Sequence, residues 1–489
     1  MSESRKILMV SSEAVPYAKT GGLADMVSAL ALHLRESGDD VRIVIPRYYS
    51  IDKSKLEKIN GPLGVPTGTD EKWTAVYKDM LKGKVPIYFI DYDQLYGRAG
   101  IYGPSGSESF EDNAERFNLL SRASFQLCRM LGWYPDVMHC HDWSAGLIPI
   151  YLNTTEFAGD FSQTASVFTI HNIGYQGVFP AEETIHTGLV ETAAMLHKDN
   201  MNFLKCAIDQ SHVITTVSPT YAKEIQTEQY GEGLEHLLDY RKYDLYGILN
   251  GVDYNDWNPE TDPFIAPDNY SKEDMANKKK LKALLQEEAG LEVTDKKPLI
   301  GIVSRLADQK GFRELCEPFY GCLASLCRYI DLQFVILGTG EKWCEEELSR
   351  LNSTLPNLHA WTEFDNRKAH LIEAGSDFFL MPSRYEPCGL NQLYSLKYGT
   401  LPIVRMTGGL ADTVENYNQQ TGNGTGFTFY DLTPEAIYNV VGWAVWAWYN
   451  KKDHIEKMRQ KAMSRDFSWN EPVKEYRKVY DIAMTKRRS

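Results

Sequence analysis

The residues best suited to chemistry in this chain follow short apolar runs, and Glu386 is the first of them. It stands in the segment 383–390, one residue beyond the apolar run 378–381, so it lies in a loop just past the end of a predicted strand. A carboxylate there can bind sugar hydroxyls, and Gly389 can expose backbone N–H groups to a phosphate. Asn391 then begins a helix-like segment whose dipole favours negative charge at the same place. A carboxylate that only caps the next helix would have the same spacing, so both interpretations stay open.

Two cations, Arg305 and Lys310, follow another apolar run and precede Gly311. When a glycosidic bond to a nucleoside diphosphate breaks, negative charge builds on the departing oxygens, and fixed cations stabilise it. The pair therefore suits a diphosphate leaving group. The alternative is a surface arginine and lysine paired with Asp308.

In the first half of the chain, polar residues again follow apolar runs. Asp142 and Trp143 come directly after the strand-like segment 137–141, and they are candidates for a hydroxyl acceptor and an apolar platform under a sugar. His171 stands in a similar strand-end segment, 169–177.

The elements that position these residues are predicted from continuous apolar runs separated by helix-sized segments, the pattern of buried parallel strands in α/β proteins. The runs cover residues 7–10, 41–45, 86–90, 165–170 and 212–217, and then 298–303, 333–337, 378–381 and 401–404. We therefore predict two doubly wound domains with a boundary near 250–265. Such sheets bind ligands at the carboxyl ends of their strands, where the candidates stand.

One hexapeptide, Thr-Gly-Gly-Leu-Ala-Asp, occurs in both halves, at 20–25 and at 407–412, with different flanks. Each copy leads into a helix-like segment, and a Gly-Gly turn at a helix N-terminus lets backbone N–H groups approach an anion closely. We interpret the copies as one such loop from each domain, presented to a shared cleft. The alternative is two tight turns that match by coincidence.

Composition excludes several classes of protein. The 489 residues favour at least two domains, because single cores stop growing near roughly 250–300 residues. Eight scattered cysteines without a CxxC pair suit a reducing cytosol, so a cytoplasmic location is expected. A formal net charge of −14 disfavours nucleic acid and anionic membranes as partners, and no apolar run approaches the roughly 20 residues that span a bilayer.

Together these segments resemble the ADP-glucose-dependent glycogen and starch synthases of the bacterial type, over about residues 6–469. The motifs that carry the resemblance are residues 19–25, 141–143, 171–177, 250–253, 305–306, 309–311, 386–390 and 407–412. The resemblance implies an enzyme, a retaining hexosyltransferase of glycogen biosynthesis. Its substrates would be ADP-glucose and the non-reducing 4-hydroxyl end of an α-1,4-glucan (glycogen or a maltooligosaccharide), and ADP would be released.

The resemblance also implies the GT-B fold, in which two Rossmann-like doubly wound domains face a deep interdomain cleft, and it implies no cofactor and no metal. The expected division is an N-terminal domain on the acceptor side, a C-terminal domain that binds the nucleotide-sugar donor, and a last segment that crosses back to the first domain. These cover residues 1–255, 256–455 and 456–489.

Roles for individual residues follow from the same motifs. The implied catalytic set is Lys19, Asp142, His171, Arg305, Lys310 and Glu386. The implied donor contacts also include Gly21, Gly22, Asn250, Phe364, Cys388, Gly389, Leu390 and Thr407. The implied acceptor contacts are Asp25, Tyr102, Trp143 and Asn172. In the family the two cations neutralise the diphosphate, and the glutamate holds the donor glucose hydroxyls.

Three alternatives remain. The first is the same fold with UDP-glucose as donor, or with another acceptor such as a small sugar; Phe364 stands where the family often has a tyrosine beside the adenine, which leaves the base open. Nucleotide-sugar epimerases share the architecture. A non-catalytic glucan-binding relative would have lost the cations or the glutamate, which this chain retains. Metal patterns are weak: His139 and His141 lack a distant ligand set, and Asp91-Tyr92-Asp93 is only a three-residue match to the DxD pattern.

Overall fold

The structure is a computed structural model that describes residues 4–68, 70–104, 109–190 and 192–489. The chain divides into two compact units. The first comprises Met1–Gly251 and Trp469–Ser489, and the second comprises Val252–Ser468. Residues 456–468 of the segment expected to cross back therefore lie in the second unit.

The first unit is built on a large sheet with a small antiparallel sheet beside it. Its described strands are β1 Lys6–Val10, β2 Asp40–Pro46, β3 Glu57–Lys58, β4 Leu63–Pro66, β5 Glu71–Leu81, β6 Val85–Asp91, β7 Val137–His141, β8 Ala165–Ile170, β9 Val178–Pro180, β10 Leu196–His197, β11 Asn200–Asn202, β12 Val213–Thr216 and β13 Leu245–Gly247. The large sheet has the order β13-β12-β8-β7-β1-β2-β6-β5-β3, with β4 paired to β5. It is parallel from β13 to β6 and antiparallel beyond.

The second unit has one parallel sheet. Its strands are β14 Leu299–Val303, β15 Gln333–Leu337, β16 Leu358–Trp361, β17 Phe378–Met381, β18 Leu401–Arg405 and β19 Phe427–Phe429. The order is β16-β15-β14-β17-β18-β19. Counted from β14, this is the 3-2-1-4-5-6 order of Rossmann folds, and the parallel strands of the first unit reverse in the same way between β1 and β7.

Helices cover the faces of these sheets. In chain order they are α1 Gly22–Glu36, α2 Asp93–Tyr96, α3 Asn113–Leu131, α4 Ile148–Asn153, α5 Phe203–Gln210, α6 Pro219–Glu224, α7 Glu235–Tyr240, α8 Ala276–Glu288, α9 Phe312–Cys316, α10 Leu323–Tyr329, α11 Lys342–Thr354, α12 Asn366–Gly375, α13 Asn391–Lys397, α14 Gly408–Thr413, α15 Pro434–Asn450, α16 Lys452–Met463 and α17 Asn470–Arg488. In the described part of the chain, none is long and apolar enough to cross a membrane.

The last helix, α17, belongs to the first unit and is tied to its sheet by side chains. The Tyr480 hydroxyl lies 2.9 Å from His139 Nδ1 in β7. The Arg5 guanidinium donates to Asp481 at 2.9 Å, and Arg487 donates to the Ser162 carbonyl at 3.1 Å. The end of the chain therefore packs directly behind the strand that leads to Asp142.

Every apolar run identified in the sequence coincides with a strand to within one or two residues, so these predictions are confirmed. The antiparallel edge of the first sheet was not predicted. In β5, exposed Trp73 alternates with buried Lys72 and Thr74, the pattern of a half-buried strand rather than of a continuous apolar run.

Candidate active site

The candidates of the first unit lie where the order of its sheet reverses. β1 and β7 are parallel neighbours, although the chain after β1 continues to β2 on the other side. Ligands of such sheets bind at this reversal, outside the carboxyl ends of the strands. Lys19 follows β1, and Asp142 follows β7 directly.

Asp142 links the end of β7 to the loop after β8. Its backbone has φ 56°, and its Oδ1 accepts a hydrogen bond of 2.9 Å from the His171 N–H. Burial raises the pKa of Asp142 to about 7, although hydrogen bonds from the backbone N–H groups of His171 and Asn172 oppose the shift. Near neutral pH this carboxyl can therefore accept hydrogen bonds as an anion or donate one as an acid.

His171 belongs to a row of three neutral imidazoles with tilted rings. Its Nε2 lies 3.1 Å from His141 Nδ1, and the His141 ring lies 4.1 Å from that of His139 between centroids. Burial lowers the pKa of both His139 and His171 to about 3. Since the rings carry no charge at neutral pH, His171 is suited to hydrogen-bond a sugar hydroxyl and not to neutralise a phosphate.

The residues of the two weak metal patterns have other partners. Asp91 accepts from Arg47 at 2.6 Å, and Asp93 pairs with both Arg47 and Lys53. Within the described ranges, no group of three or more histidine, cysteine, aspartate or glutamate side chains could hold a metal ion.

The first copy of the hexapeptide is an open turn at the start of α1. Gly21 is the N-cap of this 15-residue helix, and a Cβ added there would have no described atom within 4 Å. The Lys19 ammonium donates to Asp25 at 2.8 Å; the Lys19 side chain is exposed and that of Asp25 is partly exposed. The turn therefore offers a cation, a helix N-terminus and free space to an anion.

Two predicted acceptor residues, Tyr102 and Trp143, lie together in the first unit, with ring centroids 5.8 Å apart. The Tyr102 hydroxyl donates to Glu13 at 2.6 Å, so its polar end is engaged within the protein. Trp143 packs on Gly177, where an added Cβ would lie 2.4 Å from the indole ring. Asn172 accepts from the Gly174 N–H at 3.0 Å, which fixes the loop after β8.

The candidates of the second unit lie at the corresponding reversal, between β14 and β17. Lys310 ends a short 3-10 turn after β14, and Glu386 follows β17. The Lys310 ammonium donates to both carboxylate oxygens of Glu386, at 2.9 and 2.7 Å, and the Ser383 hydroxyl donates to one of them at 2.9 Å. Glu386 is only 5% exposed. A carboxylate at this edge can accept hydrogen bonds from sugar hydroxyls, and the lysine paired with it can bind a phosphate.

Arg305 does not pair with Asp308 as the surface alternative requires. It is exposed and donates to Gln309 at 3.0 Å. Asp308 instead accepts from Arg384, whose guanidinium also reaches Glu314 at 2.8 Å. Arg384 thereby joins the loop that carries Lys310 to the loop that carries Glu386.

The second copy of the hexapeptide packs tightly on the Glu386 loop. The Gly409 N–H donates to the Glu386 carbonyl at 3.1 Å. A Cβ on Gly408 would lie 1.9 Å from that carbonyl oxygen, and one on Gly409 would lie 1.9 Å from the Cys388 oxygen. Here the glycines are required by the close approach of two backbones.

The remaining candidates are dispersed. Phe364 is 87% exposed and follows β16, at the edge of the second sheet and two strands from β14. Asn250 is buried in the first unit, and its Oδ1 has no hydrogen-bond partner among the described residues. Cys388 is buried, Gly389 has φ 71°, Leu390 precedes α13 and Thr407 precedes α14.

Sequence reasoning missed the supporting residues Glu13, Ser12, Ser144, Ser383 and Arg384. Glu13 stands three residues beyond the end of β1. The rule that singled out Asp142 and Glu386, a carboxylate just past a buried strand, would have found it.

Comparison with known proteins agrees with this arrangement. The family model described as starch synthase catalytic domain matches residues 6–240, and glycosyl transferases group 1 matches residues 286–461. A glycogen synthase of Treponema denticola is 53% identical over 99% of each chain, and glycogen synthase 1 of Geobacter metallireducens is 43% identical over 99% of this chain and 97% of its own. A solved structure titled the catalytic domain of starch synthase IV from Arabidopsis thaliana bound to ADP and acarbose has a TM-score of 0.89. The two sequences are 28% identical, and the match covers 99% of this chain and 100% of that structure's chain.

Two Rossmann-like units with strand-end carboxylates and cations thus define a glycosyltransferase of the GT-B fold, as predicted. The chain belongs to the glycogen and starch synthase family. It is an enzyme of glycogen or starch synthesis that transfers glucose, which confirms the resemblance inferred from the motifs.

Proposed function

We propose that this enzyme transfers glucose from ADP-glucose to the non-reducing 4-hydroxyl of an α-1,4-glucan, with retention of anomeric configuration and release of ADP. The observation that carries the proposal is the Lys310–Glu386 pair at the reversal of the second sheet. It joins a cation for a diphosphate to a carboxylate for sugar hydroxyls. A related starch synthase structure is titled as bound to ADP and acarbose, which supports ADP as the nucleotide, and the relatives named glycogen synthase support a glucan acceptor.

On the donor side, Arg305 and Lys310 take the diphosphate and Glu386 takes hydroxyls of the donor glucose. The segment Cys388, Gly389 and Leu390, together with Thr407, contacts the phosphates, and Phe364 stacks on the adenine. Residues 256–455 are the donor domain in this proposal. Exposed Phe364 and Arg305 are supported in these roles by being accessible to a ligand.

On the acceptor side, Asp142 and His171 hold the transferred sugar, and Lys19 with Gly21 and Gly22 approaches the donor phosphates. Asp25, Tyr102, Trp143 and Asn172 contact or support the glucan, and Asn250 contacts the donor. In this proposal the acceptor domain is the first unit, residues 1–251 with 469–489, so the return crossing begins near Trp469 and not at 456.

In the reaction, the bond between the anomeric carbon and the β-phosphate oxygen breaks, and the acceptor O4 bonds to the anomeric carbon on the same face. The proton of the 4-hydroxyl passes to the departing phosphate. Lys310 and Arg305 stabilise the charge on that phosphate, and positioning of both sugars supplies much of the rate. Neutral His171 serves as a hydrogen-bond partner here, and no residue is assigned as a covalent nucleophile.

UDP-glucose is a second candidate donor, because Phe364 offers a flat ring to either base. We place the reaction in the cytoplasm, supported by the eight cysteines, which all lie in the described part of the chain and are free thiols.

The test is glucose incorporation into glycogen from ADP-glucose and, separately, from UDP-glucose, with EDTA present. Incorporation from ADP-glucose is expected. Incorporation from UDP-glucose alone would overturn the assigned base but not the reaction. Labelling from neither donor, with free UDP-sugar or no product formed, would overturn the transferase in favour of an epimerase or of a glucan-binding protein.

A further inference from the structure

Glu13 is a buried carboxylate without a basic partner in the described part of the chain. It follows β1 and is 2% exposed. Since a buried carboxylate must be satisfied by hydrogen bonds or opposite charge, its neighbours have to donate to it. The residues that donate to Glu13 therefore indicate which part of the protein it holds in place.

Three donors on two segments converge on Glu13. Oε2 accepts from the Thr20 N–H at 2.5 Å. Oε1 accepts from the Thr20 hydroxyl at 2.7 Å and from the Tyr102 hydroxyl at 2.6 Å. Both hydrogen-bond donors of Thr20, which begins the first hexapeptide, are therefore held by one carboxylate.

These bonds determine which backbone N–H groups of the 19–22 turn remain available to a ligand. Because the Thr20 N–H points at Glu13, the amides of the following glycines are the ones left at the N-terminus of α1. A Cβ added to Gly21 would have no described atom within 4 Å, and α1 has no side-chain cap, so neither kind of contact restrains the turn at this residue. The bonds from Thr20 to Glu13 provide a restraint there.

The same network reaches the end of β7. The Tyr102 hydroxyl lies 2.7 Å from Ser12 Oγ, and Ser144 donates to Ser12 at 2.9 Å. Ser144 stands two residues after Asp142. The hexapeptide turn and the Asp142 strand end are thus joined by a continuous set of hydrogen bonds, partly buried at Thr20 and fully buried at Ser144.

We propose that Glu13 is a positioning residue of the transferase, which holds the 19–22 turn in the conformation that receives the donor phosphates and couples it to the strand end that carries Asp142. This inference rests on the proposed function. Glu13 touches no substrate in it and acts through Thr20 and Tyr102.

The test is Glu13→Gln, which keeps the shape but leaves one oxygen to accept from three donors. The Michaelis constant for ADP-glucose is expected to rise on the order of ten-fold, and the dissociation constant of ADP, measured by calorimetry, should weaken in parallel. The matched control is Glu156→Gln, since Glu156 is also a buried glutamate of the first unit but pairs with Arg122 and Arg129. The control should lower the melting temperature and leave both constants unchanged.

A Glu13→Gln enzyme with a lower melting temperature but unaltered KM and ADP affinity would overturn the inference, since that is the result of a purely structural role. If Glu13→Gln does not fold, Thr20→Val removes only the hydroxyl bond and should raise the same two constants by a smaller factor. Wild-type constants in Thr20→Val would overturn the inference in that case. Failure of the wild-type enzyme to use ADP-glucose would instead refute the proposed function, so the two failures are distinguishable.

Discussion

The two copies of Thr-Gly-Gly-Leu-Ala-Asp share every residue and are held in different ways. The copy at 20–25 is open: Gly21 has no described atom near its Cβ position, and a side chain, Glu13, restrains the turn. The copy at 407–412 is closed by backbone, because Gly408 and Gly409 press on the carbonyls of Glu386 and Cys388.

The difference shows that one local sequence can need its glycines for two reasons. Both copies begin a helix, as predicted, but α1 runs for 15 residues and α14 for six. In the first copy no described atom comes near the Cβ position of Gly21, so the glycine is not required by packing within the chain. In the second copy the glycines allow the backbone of the Glu386 loop to approach closely, so this turn helps to hold Glu386 in position.

The largest effect on stability is expected from a methyl group added to the second copy. In Gly409→Ala the new Cβ would lie 1.9 Å from the Cys388 oxygen, so the turn must shift and carry Glu386 with it. We expect the melting temperature to fall by about 5 °C or more and glucose transfer to be lost. Gly21→Ala is the matched change; it should shift the melting temperature by less than about 1 °C and raise KM for ADP-glucose.

Calorimetry and initial rates on the two alanine variants check this prediction. Equal losses of stability would show that the two turns are packed alike, contrary to their different surroundings.

The next largest loss of stability is expected at one of the two lysine–carboxylate pairs, the pair beside the second copy. Lys310–Glu386 is largely buried, with side-chain exposures of 19% and 7%. Lys310→Met would leave Glu386 buried without its cation, at a cost of about 1–3 kcal/mol, and should reduce transfer by on the order of a hundred-fold or more. Glu386→Gln should be comparably inactive but keep nearly the wild-type melting temperature.

The double variant Lys310→Met/Glu386→Gln separates charge from packing. It should regain most of the stability lost in Lys310→Met, because no uncompensated charge remains, and it should stay inactive. A double variant as unstable as Lys310→Met would mean that the lysine stabilises the second unit by packing.

A smaller, pH-dependent effect is expected in the first unit from Asp142. Burial raises its pKa from 3.8 to about 7, so between these values the unfolded chain is ionised while the native carboxyl keeps its proton. Folding then binds a proton, and the free energy of unfolding falls as pH rises through this window. The melting temperature of Asp142→Asn relative to wild type should therefore rise between about pH 4 and 7 and level off above.

Thermal unfolding of both proteins from pH 4.5 to 8.5 measures this difference, in which other titrating groups cancel to first order. A difference that does not change with pH would show that Asp142 ionises normally in the native protein.

The sequence made the strands and the strand-end candidates predictable, because buried parallel strands are near-continuous apolar runs and ligand-binding residues follow their carboxyl ends. It did not reveal the side-chain contacts that hold those candidates in position. Glu13 meets Tyr102 across 89 positions, and His139 meets Tyr480 across 341. Such contacts depend on which strands become neighbours, and the two hexapeptide copies differ for the same reason.

The smallest effect on stability is expected at the other pair, Lys19–Asp25, with side-chain exposures of 47% and 35%. Exposed pairs contribute about 0–1 kcal/mol because water screens them, so Lys19→Met should change the melting temperature by no more than about 1 °C. Its kinetic effect should still be clear, with a higher KM for ADP-glucose, because the proposed role of Lys19 lies in the ligand complex and not in the free enzyme. A loss of stability as large as that of Lys310→Met would show that Lys19 stabilises its turn in the free enzyme. The first copy would then not be the open, weakly held turn that its surroundings indicate.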